Sequence, residues 1–265
     1  MSLSPAAISR TAALLGAARL AAQPVPDVPA ADTPATIDDG YAVQAALHDF
    51  LAAAGQGETA GWKVGATTAG MQTYLGVEGP AFGRMMSANR LQAGSPVSPG
   101  GFCNPGIECE IAVRIGADAA DTPYTRDSVG GIVDAVLPAI EIVENRYGDF
   151  LRRGTPLLIA DDFFHKAFVP GAEVSDWQGI DLAAVRGRSL IDGVERGAGS
   201  GADVMGHPFE AVAWLANALA ARGHRLAAGQ TVLTGSVAPV VWLETFPCDV
   251  AIELSGLGAV SLRFG

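Results

Sequence analysis

Ile107-Glu108-Cys109-Glu110-Ile111-Ala112-Val113 is the stretch on which the reading of this chain turns. Ile107, Cys109, Ile111 and Val113 alternate with Glu108, Glu110 and Ala112, and a period of two marks a β-strand. On a strand both carboxylates share one face, about 7 Å apart along the chain. Neighbouring like charges on a strand repel. A hard divalent cation held between them turns that repulsion into binding. The same pattern also fits a solvated strand face, and the run alone leaves both readings open. A third acid lies in Leu137-Pro138-Ala139-Ile140-Glu141-Ile142-Val143, where its neighbours belong in a core. A buried, unpaired carboxylate is costly, so Glu141 needs a metal or a basic side chain as partner. The four histidines and three cysteines show no metal-ligand spacing, and three carboxylates suit Mg²⁺ or Mn²⁺ better than Zn²⁺.

Working outward, residues 62–68, 107–115, 139–144, 231–236, 249–254 and 259–264 read as strands. Ser255-Gly256-Leu257-Gly258 joins the last two as a hairpin. Residues 5–22 are Ala-rich with Ile8, Leu14, Leu15 and Leu20, which predicts a helix. Pro24, Pro26, Pro29 and Pro34 then make a linker. Thr36 with Asp39 reads as a capping box opening a helix that carries Val43, Leu47, Phe50 and Leu51 to about Ala54. A further helix starts at His207-Pro208, with Phe209, Val212, Leu215 and Leu219 as its buried stripe and Gly223 at its end. The expected layout is a helical N-terminal arm, residues 1–58, and one strand-rich catalytic body, residues 59–265.

Composition narrows the function. A length of 265 residues, 49% of them apolar, supports a substantial core. A net charge of −11 without a Lys/Arg cluster argues against a nucleic-acid partner. An anionic substrate would then need a local cation. The odd number of cysteines and the lack of Cys-x-x-Cys favour a reducing, cytoplasmic setting. No stretch is long and apolar enough for a membrane span. Thr11 to Ala18 follows Arg10 like a short signal segment, but Arg19 interrupts it and the helix reading is preferred.

Lys63, within Gly61-Trp62-Lys63-Val64-Gly65, is the candidate acid or base; a Lys reaching solvent from a strand edge is the plainer alternative. His48 and His224 read as surface residues on or after helices. His207 precedes a helix start, where it caps the helix or meets an anion. His165 follows Asp161-Asp162-Phe163-Phe164, near a candidate site. No nucleophile elbow, Walker A or dinucleotide fingerprint is present.

Together these segments resemble the 2-oxopent-4-enoate hydratase and 4-oxalocrotonate decarboxylase group of the fumarylacetoacetate hydrolase superfamily. The matching pieces run in order from about Tyr41 to Phe264. They include Gly61–Gly65, Leu75-Gly76-Val77, Phe82-Gly83, Ile107–Ala112, Pro138–Ile142, Ile159-Ala160-Asp161, Gly206-His207-Pro208, Leu233-Thr234-Gly235 and Gly256-Leu257-Gly258. The resemblance implies an α+β fold, a mixed β-roll or β-sandwich body with peripheral helices, assembled as a homo-oligomer. It implies a Mg²⁺ or Mn²⁺ site at Glu108, Glu110 and Glu141, with Lys63 as the active-site lysine. Asp161, Asp162, His165, His207 and Ser236, in or beside the matching segments, are the candidate substrate contacts. The implied activity is a hydro-lyase of aromatic-compound catabolism, adding water to a small 2-keto acid of the 2-keto-4-pentenoate type through an enolate held on the cation. The alternatives are a 4-oxalocrotonate-type decarboxylase, an acylpyruvate C–C hydrolase and an inactive member. The chain departs from the pattern at Gly106, where a basic residue is usual, at Ala81 in place of an acid, and at Asp162 in place of Asn. Thr234-Gly235-Ser236 followed by Pro239 is nearer the hydratases, and Asn145-Arg146-Tyr147 followed by Phe150 nearer the decarboxylases.

Overall fold

The computed structural model describes residues 2–265. In chain order the elements are helices α1 (Pro5–Leu20) and α2 (Ile37–Ala53), strand β1 (Thr59–Gly65), α3 (Ala69–Leu75), β2 (Ala81–Met86), β3 (Pro96–Val97) and β4 (Pro105–Ile115). Then come α4 (Arg126–Val129), β5 (Val133–Glu144), α5 (Thr155–Ala160), β6 (His165–Pro170), β7 (Arg186–Ile191) and β8 (Val194–Ser200). The chain closes with α6 (Pro208–Ala220), β9 (Thr231–Ser236), β10 (Val241–Trp242), β11 (Cys248–Leu254) and β12 (Gly258–Phe264). No helix among the described residues is long and apolar enough to cross a membrane.

A seven-stranded sheet runs β2-β1-β9-β4-β5-β6, with β10 added beside β4, and a five-stranded sheet runs β3-β12-β11-β7-β8. Both are mixed: β1 pairs with β9, and β3 with β12, in parallel, while the other pairs are antiparallel. The alternation read from the sequence is realised in β4. Its Ile107, Cys109, Ile111 and Val113 join Ile140 and Ile142 of β5 against Val250, Ile252, Val260 and Leu262 of the second sheet, and Val212 and Leu215 of α6 close the same core. The opposite face of the large sheet is also covered. There Ala112, Leu137, Ala139, Phe168 and Leu233 form a small dry cluster. A strand buried on both faces leaves no solvated side for its acids.

The three helices named from sequence form, with ends shifted by one or two residues. Thr36 and Asp39 make the capping box, and His207 caps α6 through Nδ1, which accepts the Phe209 N–H at 3.0 Å. β1 starts and ends three residues earlier than the 62–68 reading, because Ala66 turns to φ 54° and Thr68 caps α3. Strands β2, β3, β6, β7, β8 and β10 lie outside the strands read from the sequence. Their residues do not alternate strongly enough to stand out from the turns around them.

The arm is anchored by charge as well as by packing. Leu15, Val43, Leu47 and Leu51 pack on Leu157, Leu158 and Ile159 of α5. Beneath them Arg19, 5% exposed, donates to Asp161 Oδ1 at 3.3 Å and to Asp162 Oδ2 at 3.1 Å. Arg146 and the Tyr147 hydroxyl complete Asp161. His48 corrects the surface reading given above. It is 2% exposed, and its Nε2–H donates to Asp162 at 2.8 Å, because the helical stripe of Leu47 and Leu51 carries it into the core. Burial holds its imidazole below the ordinary histidine range despite Asp162. Burial would raise Asp162, but His48 and Arg19 outweigh it and hold that carboxyl well below the usual carboxylate range.

Removing one member of such a network strands the others as buried charges, at a cost of about 3–5 kcal/mol. Arg19→Ala is therefore expected to lower the unfolding free energy by about that amount, measured as an earlier midpoint in urea denaturation.

Candidate metal centre and active-site cavity

Register brings the three acids together. Glu108 of β4 stands directly opposite Glu141 of β5, and Glu110, two residues on, lies between Ala139 of β5 and Ser236 of β9. One carboxylate oxygen from each of the three lies within 4.8 Å of the others. Glu110 and Glu141 are fully buried and Glu108 is half-buried, so the solvated-face alternative is not what the fold adopts.

The oxygens are divided unequally. Glu110 Oε2 accepts the Gly235 N–H at 2.7 Å, while Glu110 Oε1 is buried without a partner. Glu141 Oε1 accepts the His165 Nδ1–H at 2.8 Å and faces Lys63 Nζ at 3.5 Å, while Glu141 Oε2 is buried without a partner. An unmet buried acceptor costs about 1–3 kcal/mol, more when charged. Two such oxygens beside a third carboxylate make a donor set that fits a hard divalent cation. His165 then stands behind Glu141 and orients it.

The charges respond to one another. Burial and the adjacent Glu141 push the Glu108 carboxyl up to about 7. Burial, with Glu141 and Glu108 nearby, also raises Glu110 well above the ordinary range. Burial alone would raise Glu141, but Lys63 and the His165 hydrogen bond hold it below its ordinary value.

Lys63 is drawn in from the neighbouring strand. It sits opposite Leu233 of β9, which in turn sits opposite Ala112 of β4, so its side chain shares the face of the acids. It is 2% exposed, and Nζ donates to the Phe163 carbonyl at 2.5 Å. That carbonyl is aimed by a strained segment. Asp162, Phe163 and Phe164 have φ of 57°, 48° and 71°, a left-handed run that non-glycine residues hold only when surroundings impose it. The buried Asp162 network imposes it here. Gly65 is required alongside, since a Cβ there would lie 2.5 Å from the Phe163 ring.

Two cavities meet at Glu108. The wider, about 440 Å³, is bordered by Thr67, Thr68, Asp203, Ser236 and Pro239. The smaller, about 160 Å³, is bordered by Lys63, Tyr74, Phe150, Phe163, Phe164 and Trp242. Gly65, Ala66, Met71 and Val240 border both.

Of the residues singled out from sequence, Lys63, Glu108, Glu110, Glu141 and His165 converge. Ser236 lies on the wider cavity, its Oγ donating to the Ala238 carbonyl at 2.7 Å and accepting the Cys109 N–H at 3.1 Å. Asp161 and Asp162 border neither cavity and act behind the wall, through Phe163. His207 is at the start of α6 and borders neither cavity. Sequence reasoning did not find Met71, Tyr74 or Trp242, and met Phe150 only as part of a decarboxylase-like segment. Met71, Tyr74 and Trp242 lie on short elements, where exposed apolar side chains give the only signal.

The chain resembles known proteins over most of its length. Residues 86–264 match the fumarylacetoacetate (FAA) hydrolase C-terminal family. The chain is 34% identical over 232 residues to 2-hydroxyhexa-2,4-dienoate hydratase of Comamonas testosteroni, covering 86% of each chain. It is 30% identical over 230 residues to 4-oxalocrotonate decarboxylase of Pseudomonas putida, again covering 86% of each. Among solved structures, 4-oxalocrotonate decarboxylase from Pseudomonas putida G7, complexed with magnesium and adipate, superposes with a TM-score of 0.92 at 28% identity, covering 100% of this chain and 99% of that one.

A cation entering the acid cluster must displace the protons that burial and the neighbouring carboxylates favour on Glu108 and Glu110. Calorimetric titration with Mn²⁺ is expected to show affinity that rises with pH through the Glu108 value of about 7, with protons released on binding.

Proposed function

The chain belongs to the fumarylacetoacetate (FAA) hydrolase C-terminal family, and from that premise we propose that it is a hydro-lyase adding water to a 2-hydroxydienoate of the 2-keto-4-pentenoate type. The observation that carries the reading is the convergence of three carboxylates, two with an unpartnered buried oxygen, beside a lysine on a cavity wall. Glu108, Glu110 and Glu141 would hold the cation, and their all-oxygen donor set suits Mg²⁺ or Mn²⁺. When bound, the cation supplies a positive charge against the oxygens of a 2-keto carboxylate and against the negative charge that grows there as the dienol gives up its proton.

The chain's own side chains do the rest. His165 fixes Glu141 through Nδ1 and Gly235 fixes Glu110 through its N–H, so neither acid can swing away from the cluster. Lys63 Nζ, held by the Phe163 carbonyl and Glu141, is the one basic side chain on the border of the two cavities. We assign it delivery of a proton to the far carbon of the dienol as the enol becomes a ketone. Water then adds at the β-carbon of the resulting conjugated enone. Thr67, Thr68 and Ser236 give the wider cavity a polar border on which that water can be held. Phe163 and Phe164 keep bulk water from Lys63 on the other side.

The decarboxylase reading uses the same acids, and the resemblance in sequence to both activities is close. The two are separated by product. With 2-hydroxypenta-2,4-dienoate and Mg²⁺, the protein is expected to yield the hydrated 4-hydroxy-2-keto acid, and with 4-oxalocrotonate to release carbon dioxide at a lower kcat/KM. The reverse order would replace the hydratase assignment. Lys63→Ala should leave Mn²⁺ binding intact and lower kcat about a hundredfold or more. Glu110→Gln should lower metal affinity and turnover together. A Lys63→Ala variant turning over like the parent would remove Lys63 from the mechanism.

A further inference from the structure

The two cavities that meet at Glu108 differ in chemistry. The wider has hydroxyls and the carboxylate of Asp203 on its border. The smaller has its charge at one end only, where Lys63 and Glu108 stand. The remainder is apolar. Tyr74 packs edge-on to Phe150 with ring centres 5.9 Å apart, and Phe150 packs edge-on to Phe164 at 5.4 Å. Trp242 closes the opposite side. Its ring lies against the backbone at its ladder partner Gly106, where a Cβ would fall 2.7 Å from Cε3. Glycine at 106 thus lets the indole pack flush, two residues from Glu108.

Apart from Lys63, no Arg, Lys or His borders either cavity. A second carboxylate on the substrate would lose its hydration among the aromatic rings, where the one basic side chain, Lys63, is already taken up by the Phe163 carbonyl and Glu141, and would meet Asp203 in the wider cavity. The aromatic cavity, about 160 Å³, compares with the roughly 150 Å³ of an apolar cavity known to accept benzene.

We propose that this aromatic cavity is the subsite for an apolar group of phenyl size at the distal end of a monocarboxylic 2-keto acid. The inference rests on the reading of the acid cluster given above, and it defines a substrate class: the keto-carboxylate head at the acids, and an uncharged, bulky tail among Tyr74, Phe150, Phe164 and Trp242. Lys63, at the inner end of this cavity, then lies alongside the substrate's conjugated carbons.

Binding of saturated 2-keto acids, which cannot be hydrated, tests the subsite apart from the reaction. With Mg²⁺ present, calorimetry should show 2-oxo-5-phenylpentanoate binding about tenfold or more tighter than 2-oxopentanoate, and 2-oxoadipate binding more weakly than either. Trp242→Arg, a change at a half-exposed position, should bring 2-oxoadipate above 2-oxopentanoate and reduce the advantage of the phenyl compound. Phe150→Arg should do the same from the opposite side of the cavity. Equal affinities, tightest binding of 2-oxoadipate to the parent protein, or no binding of any analogue would overturn the inference. Hydration of 2-hydroxypenta-2,4-dienoate, followed in parallel, reports separately on the reaction. A flat binding series with hydration intact defeats only the subsite. The expected ranking without hydration defeats only the hydratase assignment.

Discussion

Glu108 and Glu141 face each other across a buried antiparallel ladder, and much of the surrounding structure answers to that one repulsion. Two unit charges 4 Å apart repel by about 4 kcal/mol at an effective dielectric near 20. The sheet cannot relieve this by sliding. A one-residue slip would turn Ile107, Cys109 and Ile111 out of the main core. The register that packs one face therefore fixes the acids on the other. Relief comes from the raised proton affinity of Glu108 and Glu110, from Lys63 and His165 at Glu141, and from any cation that takes up the unpartnered oxygens.

A second constraint follows from the first. Lys63 is an ammonium in an almost dry position, and needs more than the distant oxygen of Glu141. The Phe163 carbonyl supplies the nearer contact, but only because three successive residues adopt left-handed backbone angles. Such angles are unfavourable unless surrounding bonds over-determine them. Asp162, tied to Arg19 of α1, His48 of α2 and the Arg84 N–H of β2, provides that surplus. The helical arm therefore contributes to the cavity without bordering it with a charged side chain. Its role passes through the backbone of 162–164. This accounts for buried polar residues on otherwise apolar helical faces, and for the correction at His48.

The parts legible in the sequence are those whose pattern is local. Alternation in 107–113 identified β4 and assigned its acids to one face. The apolar setting of Glu141 called for a partner, and the glycines around Lys63 marked a crowded strand. The order of the family-like segments pointed to the family. Asp161, Asp162 and His207 stood in those same segments, but their side chains are spent on an ion network and a helix cap. Motif position does not reveal which way a side chain turns.

Residue order alone thus indicated the strand character of β4 and β5, set Glu108 and Glu110 on one strand face, and singled out Glu141 and Lys63 as further candidates from their apolar and glycine-flanked settings. These are features that a short window carries. Tertiary structure alone decided that Glu108 pairs with Glu141, that Glu110 and Glu141 each keep one oxygen free, and that Tyr74, Phe150, Phe164 and Trp242 gather around one cavity. These depend on ladder register and on loops meeting from distant parts of the chain. No local pattern encodes them, because the energy that fixes them is shared among elements that meet only in the folded protein.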